Sequence, residues 1–372
     1  MLVSGTVATA SGQQAIREGE MAKRYVDADG HVMENERELN EFVEPPFDRN
    51  GYATFRQMLP TLDAFHTLNG LPRKEGTFDP TIGPERWLEF LDRADLEYTV
   101  LYPTQGLAYG HVAFPNWAAA YARAYNNWLH AKYLQASPRF KGMALIPLQD
   151  PAEAVKELRR AVSELGMLGA MLPSNGLTRH LSHREYWSVY EEAARLDCAL
   201  AVHGGSYINL GFNTYTVFPA TRALGMPFPL AIAMTGFIVD GVFDAFPSLR
   251  VGFLEGGTDW IPLVIDRLER ELEYGGLSLA QKPQAYFQSG RVYVGCEGNE
   301  KGLAYAIERV GPEPFMFASD FPHEIALDNC MEEIDEIVER EDLRPEHKPL
   351  LLGDNARRFY SLDRVLSSAP AR

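Results

Sequence analysis

Hydrophobic and polar positions along this chain alternate in blocks. Short apolar runs rich in Val, Leu, Ile, Phe and Ala occupy residues 24–29, 98–102, 142–148, 168–172, 199–203, 250–254, 291–295 and 315–318. None shows a clear period of two, which is how strands buried on both faces read. Longer stretches with helical spacing lie between them, at 84–95, 116–135, 151–165, 184–196 and 259–274. Pro or Asp stands near several of their starts, as helix N-termini prefer. A last helix is expected within 345–362.

Eight strand candidates alternating with helices predict a parallel α/β fold. A (β/α)8 TIM barrel is expected rather than a doubly wound open sheet. Polar residues recur at the ends of the first, fifth, sixth, seventh and eighth runs. In a barrel those ends meet at one mouth, whereas an open sheet spreads them along an edge. No GxGxxG or GxxxxGK loop opens a helix, so the usual nucleotide fingerprints are absent. Two long insertions, at 35–80 and 206–229, follow the first and fifth runs and should fold over the mouth as lids or binding loops.

Composition narrows the picture. A chain of 372 residues suits one barrel with insertions, and 46% hydrophobic residues can fill its core. Residues 1–22 are expected to be a disordered extension, 23–365 a single domain and 366–372 a frayed tail. The start lacks the basic and apolar pattern of a secretory signal, and no apolar run is expected to approach the roughly 18 residues that span a bilayer. A formal charge of −16 argues against nucleic acid and anionic membrane as partners. Cys198, Cys296 and Cys330 have no CxxC spacing and no even pairing, so free thiols and a cytoplasmic location are expected.

The candidate chemistry sits at strand ends. After the first run comes Asp27-Ala28-Asp29-Gly30-His31. Residues two apart share a direction, so Asp29 and His31 can face one ion, with Asp27 deeper. A lone Asp-x-His is equally often a turn Asp beside a surface His. His203 closes the fifth run before two glycines; a core histidine is the plain alternative. Glu255 closes the wholly apolar sixth run, where a carboxylate is costly unless it binds a cation or forms a buried salt bridge. Glu297 follows the seventh run, and Glu300 is expected to open the next helix, where an acid suits the dipole. Asp320 ends the eighth run as a ligand or general base, and His323 on the following loop can reach the same site. Arg222 and His183 are candidates for a substrate carboxylate, with surface roles equally open, and His111 is a weak candidate for substrate contact.

With DADGHV, AVHGG, FPSLRVGFLEGGTDWIP and FASDFPH in these places, the chain resembles the amidohydrolase superfamily. The resemblance is to the branch that includes aminocarboxymuconate-semialdehyde and resorcylate decarboxylases, and it runs from about residue 25 to 360. It implies metal ligands on strands one, five, six and eight, which His31, His203 and Asp320 match. Asp29 stands where the first His of the pair is usual, and Glu255 stands where the strand-six His is usual. In the decarboxylases that His is tied to the reacting substrate. The fourth run ends Met171-Leu172-Pro173-Ser174, with no Lys or Glu to bridge two metals.

The resulting inventory is Asp29, Glu255, Glu297 and Asp320 with His31, His203 and His323. It resembles the carboxylate-rich ligand sets of di-iron and di-manganese proteins. The expectation is therefore a pair of metal ions, iron first and zinc or manganese as alternatives, in a nonheme diiron oxygenase that hydroxylates an apolar or aromatic acid with O2. Asp320, His323 and Glu255 are the expected catalytic residues. The rival is the superfamily's common chemistry, divalent-metal hydrolysis or non-oxidative decarboxylation of a small organic acid. A catalytically dead barrel used as a binding module is a third class. Barrels of this branch are often dimers, so a homodimer is a further expectation.

Overall fold

In the computed structural model the apolar runs form eight strands. They are β1 (Tyr25–Val32), β2 (Leu96–Pro103), β3 (Phe140–Leu145), β4 (Gly169–Pro173), β5 (Ala199–His203), β6 (Arg250–Leu254), β7 (Val292–Cys296) and β8 (Phe315–Phe317). The structure describes residues 25–48, 59–60, 79–205, 210–215, 218–323, 325–329 and 331–363. The expected extension at 1–22, the tail at 366–372, most of the 35–80 insertion and Cys330 lie outside them. Strands pair in parallel and in chain order from β1 to β8, giving the expected (β/α)8 barrel. β4, β5 and β7 are buried at every position, which is why no alternation shows in their sequences.

Helices Pro84–Arg93, Pro115–Leu129, Pro151–Ser163, Trp187–Leu196 and Trp260–Glu273 stand where helical spacing places them. The first three carry Pro in the first turn, and Asp150 caps the third by accepting from the Ala152 and Glu153 N–H groups. Residues 345–360 are helical as expected, with a 3-10 turn, a π turn and the α-helix Asn355–Tyr360 following one another. One expectation needs correction, and it concerns apolar length. The helical stretch Pro219–Val239, in the insertion after β5, is long and apolar enough by composition to cross a bilayer. Its interspersed Ala, Gly, Thr and Pro disguise that length in the sequence. Its second part, Pro227–Val239, packs on Trp260–Glu273.

The ring closes between β8 and β1, and it closes through residues just past the short β8. Asp320 N–H donates to the Asp29 carbonyl at 2.9 Å, and His31 N–H donates to the Phe321 carbonyl at 2.8 Å. Asp27 locks this seam. Its Oδ1 accepts from Ser319 N–H at 2.9 Å and Asp29 N–H at 3.2 Å, and its Oδ2 accepts from Thr99 Oγ1 at 2.6 Å and Ser319 Oγ at 3.0 Å. Burial pushes the Asp27 carboxyl up to about 6 against the pull of these donors.

β1 bulges at the same place. Asp27 pairs with Thr99 and Gly30 with Leu101, so three steps on β1 oppose two on β2. Such an extra residue bends a strand and re-aims its side chains. Gly30 makes the bend possible, because a Cβ there would lie 2.4 Å from the Trp87 ring and 2.6 Å from Thr99 Oγ1. Tyr360 Oη donates to the Ala28 carbonyl at 2.7 Å and meets Tyr102 Oη at 2.7 Å, pinning the bulge from the C-terminal helix. β1 consequently continues to Val32, and His31 lies within the ladder opposite Tyr102 rather than in the loop beyond it.

Removing the lock should loosen both ring and site. Asp27→Ala strands several buried donors, each worth about 1–3 kcal/mol. A loss of about 2–4 kcal/mol in urea unfolding is expected, with a metal affinity lower than that of the parent chain. An unchanged midpoint would show that the seam is held elsewhere.

Candidate metal centre

The strand ends bring two groups of donors together. One comprises Asp29, His31 and His203; the other comprises His31, Glu255, Asp320 and His323. His31 belongs to both. Its Nδ1 donates to the Pro103 carbonyl at 2.9 Å, which leaves Nε2 pointing into the site. That nitrogen lies 3.1 Å from Asp320 Oδ1 and 3.5 Å from Asp29 Oδ1. His203 Nε2 lies 3.1 Å from the same Asp29 oxygen, while its Nδ1 contacts the Gly204 carbonyl at 2.8 Å.

These spacings decide what the cluster suits. Donors about 2.1 Å from one ion, at tetrahedral to octahedral angles, stand about 3.0–3.4 Å apart. The observed 3.1–3.5 Å contacts are of that size. Four buried atoms here lack a well-aligned hydrogen bond: Asp29 Oδ2, His31 Nε2, Glu255 Oε2 and Asp320 Oδ1. Ring nitrogens near Asp320 Oδ1 and, at 3.4 Å, near Glu255 Oε2 satisfy them only in part. Buried polar atoms are otherwise nearly always paired, and each one left short of a full hydrogen bond costs up to about 1–3 kcal/mol. A divalent cation among these atoms offsets that cost, so the residues present fit one.

Backbone strain marks the same place. Glu255 and Asp320 adopt φ of +57° and +50°, left-handed values that non-glycine residues seldom take. Both immediately follow or closely follow a strand, and such strain persists where surrounding structure enforces it, often at functional sites. The Asp320 N–H bond to the Asp29 carbonyl is part of that enforcement.

The remaining expected residues take different places. His323 stacks on the His31 ring with centroids 4.0 Å apart. Its Nδ1 lies 2.9 Å from Asp320 Oδ1 and its Nε2 lies 2.8 Å from Thr104 Oγ1. Both ring nitrogens are thus engaged, and His323 is placed to orient Asp320. Glu297 lies outside both donor groups. Glu300 does not open the next helix, which begins at Leu303. Its carboxylate accepts from Thr258 N–H at 2.8 Å, Thr258 Oγ1 at 2.6 Å and Glu297 N–H at 2.8 Å, tying the loop after β6 to the loop after β7. His183 is half exposed and caps the turn Arg184–Tyr186, a surface role. His111 ends the turn Gln105–His111. Arg222 sits on the helix Phe218–Gly225, and its charge acts on both Glu255 and Glu297. Cys198 and Cys296 are buried free thiols.

Sequence reasoning passed over Thr104 and Glu34. The Glu34 carboxylate accepts from the Thr104, Gln105 and Gly106 N–H groups at 3.0, 3.0 and 2.9 Å, fixing the loop that carries Thr104. Its signal was an acid three residues after the Asp-x-His, just before the first insertion.

A family model described as amidohydrolase matches residues 26–362. The chain belongs to the amidohydrolase family. Within it the chain falls in the branch of the aminocarboxymuconate-semialdehyde decarboxylases. It is 26% identical over 288 residues to 2-amino-3-carboxymuconate-6-semialdehyde decarboxylase of Dictyostelium discoideum, covering 75% of this chain and 77% of that one. It is 25% identical over 256 residues to gamma-resorcylate decarboxylase of a Polaromonas species, covering 64% and 77%. Among solved structures, 5-carboxyvanillate decarboxylase of Novosphingobium aromaticivorans, complexed with manganese and 4-hydroxy-3-methoxy-5-nitrobenzoic acid, superposes with a TM-score of 0.67. That match covers 92% of this chain and 97% of the other at 16% identity, a likeness of fold. These relatives are decarboxylases, which fits the rival expectation of non-oxidative decarboxylation better than the expected diiron oxygenase.

Protonation supplies a test of the cation. For His31, burial is outweighed by the neighbouring carboxylates of Asp320, Asp29 and Glu255, which raise it from 6.5 to about 10. Burial, with Glu300 and Asp320 nearby, raises Glu297 from 4.5 to about 8. Above about pH 7 the unfolded chain has released both protons, while the folded apo chain holds them until these higher values are passed. The folded state therefore binds more protons, and its stability falls as pH rises through about 8 and towards about 10. Apo protein should show a lower melting temperature at about pH 9 than at about pH 7, whereas manganese should largely abolish the drop by neutralising the carboxylates. Identical profiles with and without metal would contradict this electrostatic account.

Proposed function

We propose that the chain is a divalent-metal-dependent decarboxylase that removes the carboxyl group of a small aromatic acid without O2. Its family branch and its relatives' decarboxylase activities support the reaction class, and the donor spacing supports one divalent ion, manganese or zinc before iron. Asp29, His31, His203 and Asp320 would hold the ion, which supplies Lewis-acid polarisation and orientation of substrate oxygens when bound.

The observation that carries the reading is Glu255. Its side chain is only 12% exposed, its Oε2 atom is buried without a well-aligned hydrogen bond, and it stands beside the Asp320 group. Burial, reinforced by the Asp320 and Asp29 charges, holds its carboxyl well above the usual range. That environment favours the protonated form, which a general acid needs. In decarboxylation the carbon–carbon bond breaks, CO2 leaves, and the electron pair stays on the ring carbon. Glu255 gives that carbon its proton and regains one from solvent, so no oxidant is needed. The strand-six position thus keeps a proton-handling group although its type differs from the usual His. His323 and Thr104 keep Asp320 oriented, and the Arg222 charge draws the anionic substrate towards the mouth.

A second reading, the diiron oxygenase, has one observation in its favour: the donors fall in two groups, and Glu255 adds a further oxygen ligand. It is weakened because His31 has only Nε2 to give and so serves one ion, and Glu297 stands outside both groups. Hydrolysis on the same single ion is distinguished by its products.

The test uses protein reconstituted separately with manganese, zinc and iron(II), offered 2,6-dihydroxybenzoate and 5-carboxyvanillate under nitrogen and in air. Equal CO2 release in both atmospheres is expected. Product formed only in air with a reductant would overturn the proposal in favour of the oxygenase. Glu255→Gln should keep its metal and lose at least about 100-fold in kcat, the usual scale of a general acid. A Glu255→Gln protein that loses metal instead would make Glu255 a ligand.

A further inference from the structure

Charged side chains brace the short loop after β7. Glu300 accepts from the Glu297 N–H at 2.8 Å, and Glu333 accepts from the Gly298 N–H at 3.0 Å. Arg340 donates to the Gly298 and Glu300 carbonyls at 2.9 and 2.6 Å. A Cβ on Gly298 would lie 2.4 Å from the Glu333 carbonyl oxygen, so the close approach requires glycine. Support of this kind holds a side chain that must meet a ligand in one geometry.

The side chain so presented is Glu297. The β7–β8 ladder continues past β7, since the Cys296 carbonyl accepts from the Ala318 N–H at 3.1 Å. Side chains two apart on a strand share a face, so Glu297 shares that of Gly295. A Cβ on Gly295 would meet Leu254 and Ala318, and Leu254 stands beside His203 in the β5–β6 ladder. His203 faces the metal centre, so Glu297 faces the mouth above it. Its carboxyl takes no hydrogen bond and no ion pair among the described residues. A partly buried acid without a partner, on a braced loop at the mouth, is placed to receive a group from the substrate.

Its surroundings indicate which group. Burial raises the Glu297 carboxyl, the charges of Glu300, Asp320 and Glu333 add to the rise, and the Arg222 charge opposes them. A second substrate carboxylate placed here would meet the same three acids. A hydroxyl or amino hydrogen is attracted instead, and a carboxyl oxygen accepts it whether or not the acid holds its own proton.

We propose that Glu297 selects the substrate: it accepts a hydrogen bond from a ring hydroxyl or amino group of an aromatic monocarboxylic acid and disfavours a second carboxylate there. The inference rests on the aromatic-acid decarboxylase reading, and its test reads binding rather than turnover, so the two fail separately. Calorimetry under nitrogen on the manganese-loaded chain compares 2-, 3- and 4-hydroxybenzoate with the matching methoxybenzoates and benzenedicarboxylates. The best hydroxybenzoate should bind at least about tenfold tighter than both counterparts, because an analogue without the donor leaves the acceptor unpaired. Glu297→Leu should reduce that preference to within about threefold at unchanged manganese content. Glu297→Gln, which keeps an acceptor oxygen, should retain the preference over the methoxy counterpart. Glu297→Lys should invert the order in favour of the dicarboxylate, which keeps the test valid if Glu297→Leu misfolds. Equal or undetectable affinity of the parent chain for all three classes, a preference that survives Glu297→Leu, or manganese lost with the Glu297 side chain would overturn the proposal. A preference that follows Glu297 in a chain releasing no CO2 from any of these acids supports the proposal and counts against the decarboxylase reading.

Discussion

The hydrogen bonds from Asp320 to Asp29 and from His31 to Phe321 close the barrel between β8 and β1, and Asp27 locks them by accepting from both strands. The same residues, or their immediate neighbours, present the donors of the site. Closure and ligand placement are therefore one constraint. A barrel that failed to close here would separate Asp320 from His31, and a bulge of different length would turn Asp29 away from His203. Gly30, Tyr360 and Tyr102 hold that geometry from outside the site.

Charge is the other consequence of closure. Asp29, Glu255 and Asp320 share a space that water reaches poorly, with His31, His203 and His323 between them. The carboxylates drive His31 up towards its protonated form, while the His323 and His31 rings hold Asp320 well below the usual carboxylate range despite its burial. Protons thus stand in for a cation in the apo chain. Asp29, His31, His203 and Asp320 would have to give up these protons to hold a cation, because ligands bind deprotonated. Burial and the Asp320 and Asp29 charges push the Glu255 carboxyl the other way, well above the usual range, as the proposed proton donor requires.

Much of this was legible in the residues. Eight apolar runs without alternation gave the eight strands, because both faces are covered, and their polar ends marked the mouth. Asp29, His31, His203, Glu255, Asp320 and His323 were readable as strand-end polar groups and do come together. The β1 bulge was not readable, since a Gly between two acids looks like a turn, and its register depends on Thr99 and Ser319 elsewhere in the chain. Glu300 was taken for a helix-opening acid because spacing cannot show that Thr258 is folded against it. Glu297 follows the seventh run in the same way, yet it lies outside both donor groups, which strand-end position alone does not show. The apolar length of Pro219–Val239 was missed because small residues dilute the pattern in sequence, although a helix presents them all as apolar surface.

The carboxylate count suggested two irons, but the geometry favours one ion: His31 has one nitrogen to offer, and the closest donors have the separations of neighbours around a single centre. The most direct measurement is anomalous diffraction at the manganese edge from crystals of the manganese-loaded chain. The account predicts one peak per chain, with the His31 and His203 Nε2 atoms and the Asp29 and Asp320 carboxylates within about 2.0–2.4 Å of it. Two peaks about 3.5–4 Å apart, or a single peak remote from the β1–β8 seam, would contradict it.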